Sequence, residues 1–267
     1  MGSATRESLN GAIGAIRSGD VQCSVDFAEG LFSFADALES VPQFRSLLTD
    51  PAVDVSRREV LVDAVCGKAL PADVVAFIRS LVSVPWSSPR EFVRGVVDLA
   101  VSALAEVART SEGIAAYVAE LFAIGQVFAG SHELQLALPL SGDRTGVDQL
   151  IDELFEKRIS AEALAAVQYA ATHRRGGQIA PTMVEFARVA AQLDGRHLVT
   201  VTTAVELTDA QKTAMVAGLE KQFGSALYPG FVVDPSVIGG VRAEVDSEVI
   251  DATTQTRLGE LRSSLVH

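Results

Sequence analysis

The sequence predicts a mainly α-helical chain, with two tandem helical bundles followed by a small α/β domain of β-α-β-β-α order. Three observations predict it. Apolar residues recur at helical spacing from residue 3 to about residue 193. Two stretches of this region resemble each other at a nearly constant offset. Beyond residue 194 the pattern changes to short β-branched runs separated by turn residues.

A leading helix is expected over residues 5–16. Phe27, Leu31, Phe34 and Leu38 then form one apolar stripe of a second helix. Pro42 and Pro71 stand where further helices begin, because a proline in the first turn removes no intrahelical hydrogen bond. Ser56-Arg57-Arg58-Glu59 has the form of a capping box, and Gly67 ends the helix it opens. Ser88-Pro89-Arg90-Glu91 is a second such box, opening a long helix that runs to about residue 109.

The repeat lies across these helices. AEGLFSFADALESVPQFRSLL from Ala28 aligns with AELFAIGQVFAGSHELQLAL from Ala119, and LVDAVCGKALPADVVAFI from Leu61 with LIDELFEKRISAEALAAV from Leu150. Lys68 then matches Lys157, Asp73 matches Glu162, Ile78 matches Val167, and VDLA at Val97 matches VEFA at Val184. An offset that drifts only from 90 to 87 points to duplication of a small bundle. The second copy has no leading helix of its own, so the helix over 89–109 closes the first bundle and opens the second. The expected segments are a first bundle at 1–109, a second at 89–194 sharing that helix, and the α/β domain at 195–267.

In the last segment, residues 197–205 are rich in valine and threonine and read as a strand. Thr208-Asp209-Ala210-Gln211 caps a helix with Met215, Leu219 and Phe223 on its buried side, and Gly224 ends it. Residues 231–233 read as a second strand. Val241, Ala243 and Val245 alternate with Arg242, Glu244 and Asp246 as a half-buried third. Asp246-Ser247 fits a turn into residues 248–250. Thr253 or Thr254 caps a last helix carrying Leu258, Leu261 and Leu265.

Composition narrows the functional classes. Net charge is −12 and 48% of residues are hydrophobic, so the chain can bury a sizeable core while its surface repels phosphate backbones and anionic lipid. The most apolar long stretch, 92–108, carries Arg94, Asp98 and Glu106 and cannot span a bilayer. The opening MGSATRESLNG has no basic start followed by an apolar core, so no secretory leader is expected. Cys23 and Cys66 lack CxxC spacing and read as small buried hydrophobes. His132, His173, His197 and His267 share no ligand spacing, so neither a metal nor a cofactor is expected. No GxSxG accompanies the serines. Asp152-Glu153 reads as a solvated helix face, Trp86 as a core or inter-bundle plug, and His173-Arg174-Arg175-Gly176-Gly177 as a basic helix end.

The pair Gly239-Gly240 raises the question of a phosphate loop. Such a loop needs a following helix whose free N–H groups hold the anion. Here a strand follows, acids surround the pair, and no GKS, GKT or GxGxxG is present. Glycine instead allows a bulge or close backbone approach where a strand begins.

The tail DPSVIGGVRAEVDSEVIDATTQTRLGELRSSL resembles the closing signature of the ATP synthase delta subunit family, which includes the oligomycin-sensitivity-conferring protein. The matching residues are Asp234-Pro235, Ile238-Gly239-Gly240, Val249-Ile250-Asp251 and Arg257-Leu258, with Ala204, Leu207 and Gln211 upstream. Arg174 or Arg175 fits the arginine before the final bundle helix. Asp246 departs from the usual turn glycine, and Ala252-Thr253 from a common Gly-Ser. The resemblance implies a non-catalytic stator subunit, peripheral on the cytoplasmic face of the bacterial plasma membrane. It implies two partners: N-terminal helices of the alpha subunits on the helical bundle, and the C-terminal end of subunit b on the α/β domain. The second copy is the expected alpha-binding bundle, with a groove of Val97, Val101, Leu104, Leu164 and Val167, and with Arg174 beside it. The same apolar residues read equally well as core. The residues alone leave open a helical regulatory adaptor, or an enzyme with a site assembled from scattered residues.

Overall fold

The computed structural model of the chain describes residues 1–131, 133–134, 144–155, 158–173, 178–237, 240–245 and 248–251. It is mainly helical, with one small sheet near the C-terminal end. Two compact units are present: Met1–Tyr117 with Leu138–Arg174, and Val118–Ala137 with Arg175–His267.

The first unit is built from α1 (Ser3–Ser18), α2 (Val25–Ser40), α3 (Pro42–Thr49), α4 (Val55–Cys66), α5 (Ala72–Ser83) and α6 (Pro89–Thr110). It also takes the start of α7 (Ile114–Gly130), together with α8 (Arg144–Phe155) and α9 (Ala161–Thr172). α2 and α6 are its axis. Phe27, Leu31, Phe34 and Leu38 are all buried, as their spacing requires, and Phe34 meets Phe44 and Phe92 edge-on. α9 packs on both α6 and α2. There Phe32 stacks on Tyr169 and Tyr169 on His173, while the His173 imidazole pairs with the Asp36 carboxylate. Trp86 is buried against Phe92, and its indole N–H donates to the Leu81 carbonyl at 2.8 Å.

Two helix starts differ from expectation. α4 begins at Val55 with Asp54 as N-cap and no side-chain cap bond, so Ser56 lies inside the first turn. The Asp54 carbonyl already accepts from the Arg57 and Arg58 N–H groups. The buried Arg58 guanidinium, donating to the carbonyls of Val53 and Val82, anchors that register. Pro71 is the N-cap of α5, so that helix begins where expected. At α6 half of the expected box forms: Ser88 Oγ accepts from the Glu91 N–H at 3.2 Å. The Glu91 carboxylate turns away to accept from the Gly2 N–H.

The second unit contains the remainder of α7, α10 (Ala180–Leu193), β1 (His197–Thr203), α11 (Asp209–Phe223), β2 (Leu227–Val233), β3 (Val241–Val245) and β4 (Glu248–Asp251). The strand order is β2-β1-β3-β4. β1 and β2 are parallel across the α11 crossover, while β3 pairs antiparallel with β1 and β4. The full capping box Thr208/Gln211 opens α11, and Gly224 closes it at φ 68°. Leu219 lies over Val199, Val201, Leu227, Ala243 and Val245, with Met215 and Phe223 packed at the edge. β2 is longer than residues 231–233, because Pro229 and Gly230 conceal its start. Hydrogen bonds from His197 to Ala226 and from Asp234 to Thr203 set the alternation. Pro229 therefore faces the open edge, where its missing N–H leaves no orphan donor. Gly230 admits the Phe122 ring: a Cβ there would lie 2.4 Å from Phe122 Cζ. The last helix expected after Thr253 and the turn at 246–247 lie outside the described residues.

Candidate functional site

A groove of about 790 Å³ lies between α1 and α5. Its origin is local. Reciprocal bonds join Thr5 and Ser87, and the Ser8 hydroxyl donates to the Pro85 carbonyl at 2.7 Å. These bonds tie the first half of α1 to the α5–α6 connection. The Glu91 carboxyl, held below the usual carboxylate range by the Thr5 hydroxyl and then the Gly2 N–H, completes the tie. Farther along α1 the side chains are small. Gly11, Ala12 and Ala15 face Ala76 and Ser80, with buried Phe77 and Leu81 as the floor. A Cβ added at Gly11 would meet nothing within 4 Å. The groove carries three carboxylates, Glu7, Asp20 and Asp73, and no lysine or arginine. Small apolar walls with polar groups at the margin suit the apolar stripe of a helix.

The residues expected to bind a partner lie elsewhere. Val101, Leu104 and Val167 are fully buried and Val97 is 8% exposed, so these four are core where α6 meets α9. Leu164 is half-buried. Arg174, Gly239, Arg257 and Leu258 lie outside the described residues. Gly240 sits at φ 90° immediately before β3, a left-handed position that glycine fills without strain, and no helix follows it. Asp234 closes a local turn by accepting from the Ser236 N–H at 2.9 Å, and the Ser236 hydroxyl and N–H hold its carboxyl below the usual range. Asp251 is the last residue of β4. The α1/α5 groove was not anticipated. Its signal is a pair of helices with small residues at i, i+4 spacing, at Gly11 and Ala15 and at Ala76 and Ser80.

The other candidate chemistry is structural. Cys23 and Cys66 are free thiols, each pushed up to about 11 by burial and then by a neighbouring carboxylate, Glu106 and Asp63 respectively. Asp152 is half-buried and accepts from the Gln168 amide at 2.7 Å, joining α8 to α9, whereas Glu153 is exposed. His173 is the C-cap of α9. Among the described residues no three His, Cys, Asp or Glu side chains converge as metal ligands, and no helix is long and apolar enough to cross a membrane.

The chain is thus mainly helical, with a small sheet near its C-terminal end and an open groove in its first unit. Comparison with known proteins specifies it further. Residues 101–265 match the family model described as ATP synthase delta (OSCP) subunit. The chain is 32% identical to the ATP synthase subunit delta of Leifsonia xyli over 266 residues, covering 99% of each. It is 31% identical to that of Beutenbergia cavernae over 243 residues, 90% of this chain and 89% of the relative. With the subunit of Pseudarthrobacter chlorophenolicus the identity is 30% over 273 residues, 99% of each. This chain belongs to the ATP synthase delta (OSCP) subunit family.

Proposed function

We propose that the chain is a non-catalytic stator subunit of a rotary proton-translocating ATP synthase, bound peripherally at the cytoplasmic face of the membrane. The single observation that carries the reading is similarity over 99% of the chain to an ATP synthase subunit delta of almost the same length. Stator work needs no reacting group. It needs a stiff frame with surfaces that hold other subunits against torque. The helical first unit supplies a frame and an open groove, and in this reading the groove, rather than the α6/α9 contact, receives an N-terminal helix of an alpha subunit. The α/β part with its Asp234–Asp251 segment receives the C-terminal end of subunit b. The duplication that divides the sequence into 1–109, 89–194 and 195–267 lengthens the frame.

The test is co-purification. Affinity-tagged chain recovered from detergent-solubilised membranes of its host is expected to bring down alpha and b subunits. Depletion of the chain is expected to uncouple ATP hydrolysis from proton movement without abolishing hydrolysis by the detached head. Clean recovery of another assembly lacking both subunits would overturn the reading.

A further inference from the structure

β2 forms one edge of the four-stranded sheet, and its pairing with β1 decides which of its residues face outward. The His197 N–H donates to the Ala226 carbonyl, and the Asp234 N–H to the Thr203 carbonyl. In the parallel register between these two bonds, residues 226, 228, 230, 232 and 234 turn their backbone groups toward β1. Leu227, Pro229, Phe231 and Val233 turn theirs away from the sheet. A row of outward backbone groups is a template for another strand. Phe231-Val232-Val233 has the aromatic and β-branched composition that favours such pairing, and Val233 is 51% exposed. The first half of the row is nevertheless closed. The Leu227 N–H donates to the Glu220 carboxylate at 3.0 Å, and Pro229 has no N–H to offer. Glu220 stands in the last turn of α11, where a carboxylate meets the negative end of the helix dipole. A local preference is broken there, and what the acid gains in exchange is the bond to the strand edge. Lys212, also from α11, holds its ammonium 5.6 Å from the Phe231 ring centroid and so sets a charge beside the other half.

The strand that fits this edge is β2 of a second copy, because identical edges meet through a two-fold axis with every outward position paired. An antiparallel two-fold about Gly230 sets Leu227 against Val233 of the second copy, and Pro229 against its Phe231. Leu227 and Pro229 hold half of the outward positions in such a ladder, and neither supplies a donor to it. We propose that Glu220 and Pro229 form a guard that keeps β2 from pairing with β2 of a second copy, so that the chain stays monomeric despite the open edge of its sheet. Glu220 acts by occupying a donor and Pro229 by lacking one. The guard is independent of the stator reading: the oligomeric state of the purified chain tests the one, and recovery of alpha and b from membranes tests the other.

The experiment uses the full chain and reads its mass by sedimentation velocity across a wide concentration range. The unaltered chain is expected to stay monomeric. Glu220→Ala combined with Pro229→Val restores both withheld donors, and its average mass is expected to rise with concentration toward twice that of one chain. Adding Val233→Pro to that double variant removes an outward N–H from the other half of the ladder and is expected to return it to the monomer. Gln222→Ala, at an exposed position of the same helix turn, is expected to change nothing. Circular dichroism checks that each variant is folded. A folded double variant that stays monomeric, an unaltered chain that dimerises, or a dimer that survives Val233→Pro would overturn the proposal. Hydrogen exchange tests the guard without relying on the double variant. The Leu227 amide of the unaltered chain is expected to exchange more slowly than those of Phe231 and Val233. Glu220→Ala is expected to speed the Leu227 amide by roughly tenfold or more, whereas Glu220→Gln, which keeps an acceptor oxygen, preserves most of its protection. Equal exchange at the three amides of the unaltered chain, or no change at Leu227 in Glu220→Ala, would overturn it as well.

Discussion

Phe32 of α2 and Tyr169 of α9 stack with ring centroids 4.1 Å apart and planes inclined by 13°. They are 137 residues apart in the chain. This contact brings α9 into the core of the first unit. Phe32→Ala removes a buried ring and is expected to cost about 3–5 kcal/mol. Phe32→Leu, which keeps much of the volume, is expected to cost clearly less. Urea unfolding followed by circular dichroism reads both, and an unchanged midpoint for Phe32→Ala would contradict the stack.

The sole tryptophan reports on a second close approach. A Cβ at Gly95 would lie 2.5 Å from Trp86 Cζ3, with the indole held in place by its bond to Leu81. Gly95→Ala gains up to about 1 kcal/mol of helix propensity and loses about 1–3 kcal/mol to overpacking. Net destabilisation with a shifted tryptophan emission is expected. Gly14→Ala in α1 meets nothing within 4 Å. It is expected to stabilise by up to about 1 kcal/mol with emission unchanged.

The two serines that look alike in the sequence separate in a capping experiment. Ser88→Ala removes the acceptor for the Glu91 N–H and is expected to cost about 1 kcal/mol. Ser56→Ala changes a residue already inside α4 and is expected to stay within about 0.5 kcal/mol. Equal losses at both positions would restore Ser56 as a cap.

Thiol chemistry gives a pH test. Burial pushes the Cys23 and Cys66 thiols up to about 11 in the folded chain, from the ordinary 9.0 expected in the unfolded chain. The raised value means that burial favours the neutral thiol. Its contribution to stability is complete below pH 9 and is lost as pH climbs through 11, because the unfolded chain gives up its protons first. Alkylation by iodoacetamide at pH 7.5 is expected to be slow in the native chain and fast in urea. Cys66→Ser with Cys23→Ser is expected to flatten the loss of thermal stability above pH 9. A fast native reaction at pH 7.5 would contradict the burial.

Much of the fold was legible because its signals are local. Phe27, Leu31, Phe34 and Leu38 repeat at the helical period, Thr208 and Gln211 cap each other, and Val241, Ala243 and Val245 alternate as a one-sided strand does. Where a second influence acts on the same atoms, the local signal misleads. Ser56-Arg57-Arg58-Glu59 has the pattern of a box, but the carbonyls that Arg58 reaches, at Val53 and Val82, set the start of α4 earlier. Pro229-Gly230 looks like a break in β2, yet an edge position tolerates the proline and the approach of Phe122 requires the glycine.

The candidate site was less legible for a related reason. Val97, Val101, Leu104 and Val167 have the spacing of a docking face, and the same spacing is required of a core face. α2 and α9 make them core. Gly11, Ala12, Ala15 and Ala76 attract little notice in the sequence because they contribute little apolar area, yet small side chains are what leave a groove open.

By itself the sequence determined the helical texture, the β-branched closing segment and, through that segment, the family. Tertiary structure alone decided which apolar faces the chain covers for itself and which it leaves open. Periodicity reports that a helix face is apolar, but burial depends on which distant segment comes to lie against it. Here α2 closes the notch between α6 and α9, whereas the space between α1 and α5 stays open.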